Sequence, residues 1–207
     1  MPGNPGSINQ ANVDLFKAKA KPASIEVVVV KDLKAALDYA IEVTEKTELG
    51  KLMPTTPGLS PPDDPNRKKT LAAPSISDEH FKLLSQKGEA KGFEMVRSKL
   101  RNHLAGIDVA FTVADLGISE TATCVSENNS EDYRLATMIC ETHVLALPMN
   151  KLVKTSYEAE DFLIKAMDKD NNYTSFISGP SRTADIERVL TLGVHGPLYM
   201  HVALLEE

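Results

Sequence analysis

Residues 25–41 read IEVVVVKDLKAALDYAI, and two hydrophobic periods meet inside that stretch. The β-branched run at 25–30 is a strand signal. Asp32 follows as an N-cap, and Leu33, Ala36, Leu37, Ala40 and Ile41 then recur at helical spacing. A strand passing directly into an amphipathic helix is half of a βαβ unit. The pattern continues along the chain, with a short strand at 70–73 and a helix at 78–86 that turns Phe81 and Leu84 inward. Phe93, Val96, Leu100 and Leu104 share one helical face. A buried strand at 142–147 precedes a helix marked by Ala159, Phe162, Leu163, Ala166 and Met167; a strand at 173–178, a helix at 183–190 and a strand at 198–205 follow. Alternating strands and helices predict an α/β fold, a mainly parallel sheet with helices on both faces and ligands beyond the carboxyl ends of the strands.

Two segments stand outside this alternation. Residues 1–24 hold Pro2, Pro5 and Pro22 with few large apolar side chains, so they read as a loose arm with one helical turn, and 25–207 as the domain. Residues 50–69 contain Gly50, Pro54, Pro57, Gly58, Pro61, Pro62 and Pro65, which exclude a regular element. This proline-rich loop is an excursion, a cover over a site, or a segment that orders against a partner.

The chain has 207 residues, 42% of them hydrophobic and 25% charged, which is ordinary globular composition. A net charge of −6 and a pI near 5.4 give no attraction for nucleic acid or anionic lipid. No apolar run is long enough for a bilayer, and residues 1–10 lack a signal-peptide pattern, so the expected location is cytoplasmic. Two cysteines, Cys124 and Cys140, do not suffice for the four thiolates that an iron–sulfur cluster usually needs. Redox electrons would then be held by another subunit or a dissociable cofactor; otherwise both thiols are small buried hydrophobes.

Of the eleven glycines none forms a G-x-G pair, and no P-loop, G-x-S-x-G, H-E-x-x-H or C-x-x-C is present. Three polar clusters remain. Asp115, Ser119, Glu120, Thr121 and Thr123 precede the apolar pair Cys124 and Val125. Glu120 there could act as general base or nucleophile, or accept backbone hydrogen bonds in a turn. Ser178 to Asp185 joins a strand to an expected helix start, where Ser181, Arg182 and Thr183 could hold a carboxylate or phosphate, or Thr183 could simply cap. Gly193, His195, Gly196 and Pro197 form the third, with His195 either contacting a ligand or bracing its loop. A metal pair between His195 and His201 lacks a third ligand at fixed spacing, so no metal is expected.

Together these clusters resemble the LUD-domain family of bacterial lactate-utilization proteins over roughly residues 70–207. The residues carrying the resemblance are 112–123 (TVADLGISETAT), Arg134-Leu-Ala-Thr137 with Glu141-Thr-His143, the S-G-P-S-x-T-A-D-I-E of 178–187 and the G-V-H-G-P of 193–197. Ala122 stands where the family usually has Gly, and a positive φ there would cost roughly 1 kcal/mol. Glu141 follows Ile139-Cys140 where a Leu-Pro pair is common. The resemblance implies a three-layer α/β/α fold like that of sugar-phosphate isomerases and CoA transferases. It also implies a part in oxidising L-lactate to pyruvate beside two iron–sulfur lactate-utilization subunits, with the clusters in those partners and no cofactor on this chain. On that reading Arg182, Thr183 and His195 hold a small carboxylate and Glu120 lines the pocket, joined by Asp115, Thr121, Thr123 and Ser181. Alternatives are a CoA or acyl transferase using Glu120 or Glu127, suggested by Ser126-Glu-Asn-Asn129, and a scaffold without its own chemistry.

Overall fold

The computed structural model describes residues 7–50, 66–170, 173–182, 184–186, 189–191 and 196–207. Helix α1 (Gln10–Ala20) opens with Asn9 accepting from Ala11 N at 3.1 Å. Strand β1 (Ile25–Val30) leads into α2 (Leu33–Lys46), whose N-cap Asp32 accepts from Ala35 N at 2.8 Å. Strand β2 (Thr70–Ala72), helix α3 (Asp78–Ala90) capped by Ser77, and strand β3 (Glu94–Val96) follow. Strand β4 (Ile107–Val113) passes into the short β5 (Leu116–Ile118), and after a 3-10 turn β6 (Thr123–Glu127) returns beside it. Then come α4 (Glu131–Ile139), β7 (Cys140–Pro148), β8 (Leu152–Val153), α5 (Glu160–Met167), β9 (Thr174–Ile177), β10 (Ala184–Ile186), β11 (Val189–Thr191) and β12 (Tyr199–Leu205).

The main sheet has the order β1-β12-β7-β4-β2-β3, and every neighbouring pair is parallel. Such a sheet must be covered on both faces, because crossovers place helices there and neither face is patterned for water. On one face α2 and α3 bring Leu37, Ile41 and Leu84 against Leu71, Phe111, Val144 and Ala203. On the other, Val13, Phe16 and Ala20 of α1 pack with Leu145, Leu147, Val202 and Leu204, and Ala136 of α4 packs with Ala72 and Ala110. A smaller sheet, β8-β5-β6-β9, leans on that second face. A side chain at Gly117 would bring its Cβ within 2.6 Å of Leu147 and Leu152 carbons, so β5 reaches β7 this closely only as glycine.

Four expectations are corrected. Residues 10–20 are not part of a loose arm: α1 runs three turns there, and its i, i+3, i+7 stripe of Val13, Phe16 and Ala20 is buried. The shared helical face of 93–104 is instead β3 and a 3-10 turn at Leu100–His103; the left-handed Lys99 (φ 62°) separates them, and the Asp132 carboxylate accepts from Lys99 N and Leu100 N. The helix expected at 183–190 is replaced by the antiparallel pair β10 and β11. The strand at 173–178 exists as β9 but belongs to the small sheet, where it pairs antiparallel with β6. Strand β4, central to the main sheet, was not anticipated. Residues 51–65 of the proline-rich loop, with Thr183, Gly193, Val194 and His195, lie outside the described residues.

Either side of residues 51–65 the chain is anchored by one carboxylate. Asp108, 2% exposed, accepts from Gly50 N, Thr70 N and both terminal nitrogens of Arg67 at 2.8–2.9 Å, while Arg67 also donates to Gly50 O. The bidentate pairing and the two amides satisfy a charge that would otherwise be costly to bury.

The packing of α1 is directly testable. Replacing Phe16, fully buried, by Ala is expected to lower unfolding free energy in urea by about 3–5 kcal/mol. A loss under about 1 kcal/mol would mean that the segment is the loose arm its composition suggested.

Candidate functional site

The three polar clusters are not gathered beyond the carboxyl ends of the main strands. Ser181 N donates to Pro197 O at 2.7 Å just before β12, and Leu198 N donates to Glu141 O at the start of β7. A Cβ on Gly179 would stand 2.6 Å from Ala23 O, and Arg182 Nη2 donates to Pro22 O at 2.6 Å, both just before β1. The loops at 178–182 and 196–198 therefore flank the amino ends of β1, β12 and β7. Gly179 takes φ +114°, so both the backbone shape and the close approach exclude a side chain.

Within this region β6 and β9 bring hydroxyls together. Thr121 Oγ1 lies 2.7 Å from Thr123 Oγ1, which lies 2.6 Å from Ser178 Oγ. Thr123 is buried, whereas Thr121 and Ser178 are exposed, so the line of hydroxyls reaches solvent at both ends and is buried at its middle. Ser178 continues directly into the loop carrying Ser181 and Arg182. Arg182 is exposed, and its bond to Pro22 O orients the guanidinium.

The carboxylates stand apart from this line. Glu120 Oε1 accepts from Ser156 N at 2.8 Å, and Glu120 N donates to Lys154 O, so the residue ties the 3-10 turn to the loop after β8. Asp115 Oδ2 accepts from Glu127 N at 2.8 Å across the β5–β6 hairpin. Although Asp115 is exposed as a residue, crowding of its carboxyl raises the pKa; the Glu127 amide opposes that rise. Glu127 is paired with Lys169 Nζ at 2.7 and 2.9 Å. No hydrogen bond joins Glu120, Asp115 or Glu127 to the Thr121–Thr123–Ser178 hydroxyls among the described residues.

Deeper on the α1 and α4 face lies a polar group that was not among the candidate site residues, although Thr112 and His143 fall in strings that carry the resemblance. His143 Nε2 is 2.7 Å from Thr112 Oγ1, and Tyr133 of α4 comes up beside Thr112 and Ser126. Burial raises the Tyr133 pKa and the two hydroxyls oppose it, yet Tyr133 Oη forms no hydrogen bond of proper geometry, nor do Ser126 Oγ and His143 Nδ1 among the described residues. Burial pushes the His143 pKa down to about 4, so the ring is neutral at pH 7. A lone tyrosine, threonine or histidine in apolar runs carries no spacing signal, which is why this group is visible only in three dimensions. His201, on β12, makes ring contacts with Tyr39.

Both cysteines are buried. Desolvation raises their thiol pKa values, that of Cys140 to about 12.

Ala122 occupies the left-handed region (φ 50°, ψ 42°), the geometry anticipated for a glycine. Its methyl is fully buried among Cys124, Leu145 and Leu147. A left-handed alanine costs about 1 kcal/mol, and a buried methyl returns about 0.8. Ala122→Gly is therefore expected to change stability by less than about 1 kcal/mol, because strain relief and lost burial oppose each other. Ala122→Val should lose roughly 2–4 kcal/mol, measured by urea denaturation.

His143 makes a pH-dependent contribution. Its folded pKa lies below the unfolded value of about 6.5, so its contribution is intact above pH 6.5 and is lost as pH falls towards 4. Between pH 7 and 4.5 the parent should lose about 2–3 kcal/mol more than His143→Gln. Equal slopes in urea melts at the two pH values would contradict a buried neutral ring.

A family model described as the LUD domain matches residues 13–205, beginning inside α1. Lactate utilization protein C of Exiguobacterium sp. is 33% identical over 104 residues, covering 48% of this chain and 45% of that protein. Lactate utilization protein C 1 of Bacillus mycoides is 30% identical over 94 residues, 44% of this chain and 40% of that protein. The matched segments thus span less than half the length of these relatives. Among solved structures, a DUF162 family protein from Deinococcus radiodurans superimposes with a TM-score of 0.61 at 16% identity, covering 96% of this chain and 99% of that one. That likeness shows the fold.

Proposed function

We propose that this chain, which belongs to the LUD-domain family, serves lactate utilization as a subunit without an iron–sulfur cluster of its own, and binds a small carboxylate between β6, β9 and the loop at 178–182. The observation that carries the reading is the Thr121–Thr123–Ser178 line of hydroxyls, which continues along the chain into the loop carrying Arg182. Hydroxyl donors with a forked guanidinium suit a carboxylate, which accepts several short hydrogen bonds at once. The names of the relatives supply the substrate class, lactate or its oxidation product. Electron transfer is assigned to iron–sulfur partner subunits, since the two cysteines here do not supply the four thiolates that a cluster usually needs. Thr183 and His195 are proposed ligand contacts on the resemblance alone. Asp115 and Glu120 brace the scaffold of the site through their backbone amide partners.

Titration with L-lactate and with pyruvate tests the site. Arg182→Ala and Thr123→Val should each weaken carboxylate binding at least about tenfold, or 1.4 kcal/mol, without lowering the melting temperature in the arginine variant. Unchanged affinity in both variants would remove the proposed site. Anaerobic purification of the tagged chain from its own cells addresses the partners. Cysteine-rich iron–sulfur proteins that co-elute with lactate-dependent dye reduction are expected, and a solitary protein without that activity would count against the subunit role.

A further inference from the structure

Across the sheet from the hydroxyl line, the end of α2 and the first residues of β1, β7 and β12 enclose a cleft of about 480 Å³. It lies on the α2 face: Glu26 and His201 are register partners on β1 and β12. Glu26, Glu48 and Glu141 line the cleft against one lysine, Lys46. His201 adds no compensating positive charge at pH 7, because burial and the neighbouring Lys46 lower its pKa, though Glu26 opposes them. Among the described residues, the charged groups lining the cleft therefore sum to an excess of carboxylate.

Three further observations narrow the occupant. Glu141 sits against Gly50 and near Asp108; burial raises its pKa first, then repulsion from Asp108 and Glu48, with Arg67 only partly opposing. That is the signature of a carboxylate short of a counter-charge. Thr142 also lines the cleft and is 2% exposed. Tyr39 is fixed by His201 Nδ1 at 2.9 Å, and Tyr199, more than half exposed, stands as a second aromatic wall. Among the described residues no three His, Cys, Asp or Glu side chains converge closely enough to hold a metal ion. Aromatic walls, separated carboxylates and a buried hydroxyl instead suit a cation whose charge sits on an apolar stem.

We propose that this cleft binds a small organic cation, an alkylammonium or guanidinium. Glu141 and Glu26 pair its charge, Thr142 Oγ1 accepts one of its N–H groups, and Tyr39 and Tyr199 flank its methylenes. This site is separate from the carboxylate site and does not depend on it.

Calorimetric titration of the full chain with agmatine, in the absence of lactate, is the test, with 1-pentanol as an uncharged probe. Saturable binding of agmatine, none of pentanol, and at least a tenfold loss in Glu26→Gln and in Glu141→Gln are expected. Glu26 is mostly exposed, so its variant keeps the test valid even where Glu141→Gln disturbs packing on Gly50. No saturable binding of agmatine, or affinity unchanged in both variants, would overturn the proposal. Competition by Mn²⁺ at the same carboxylates would also overturn it, by making the cleft a metal site.

Discussion

The constraint on which the rest of this structure depends is the burial of both faces of a wholly parallel sheet. Parallel strands cannot close by short hairpins, so each return crosses over the sheet and lays an element on one face. Helices α2 and α3 cover one side. On the other side α1, α4 and the small β8-β5-β6-β9 sheet share the work. The small sheet fits there because Gly117 lets β5 approach Leu147 of β7, and because Ala122 accepts a left-handed turn in exchange for a buried methyl.

The arrangement has a functional consequence. Because β5 and β6 fold back over the second face, Thr121 and Thr123 meet Ser178 of the segment after β9, and the loops leading into β12 and β1 close against one another. The polar loops of this family member thus flank the amino ends of β1, β12 and β7, contrary to the usual position in open α/β sheets. The same ends, on the opposite face, carry the acidic cleft, and Asp108 anchors the chain on either side of residues 51–65 beside it. One end of the sheet thereby offers surfaces of opposite preference, donors on one face and carboxylates on the other.

Much of this was legible before any coordinates. The β-branched run at 25–30 and the capped stripe from Asp32 onward are local signals, set by side-chain sterics and by orphan amides at a helix start, and both appear as read. The same holds for β7, β12 and α5, whose patterns are long or strongly apolar. Weaker patterns misled. The stripe of α1 is only three residues wide, and its stability comes from the sheet beneath it rather than from its own composition. Phe93 to Leu104 has helical spacing, yet Asp132 of a distant helix captures the backbone there in another shape.

By itself the sequence determined the fold class, the family and the chemical types available, because hydrophobic period, caps and motif strings are properties of neighbouring residues. Only the tertiary structure decided which of those residues meet. It separated Glu120 and Asp115 from the hydroxyl line by giving each carboxylate a backbone amide, and it joined Thr123 to Ser178 across 55 positions of chain. It also assembled His143, Thr112, Tyr133 and Ser126 from four elements, and the cleft from α2, β1, β7 and β12. Contacts between residues far apart in the chain depend on strand order and register, and no local pattern encodes those.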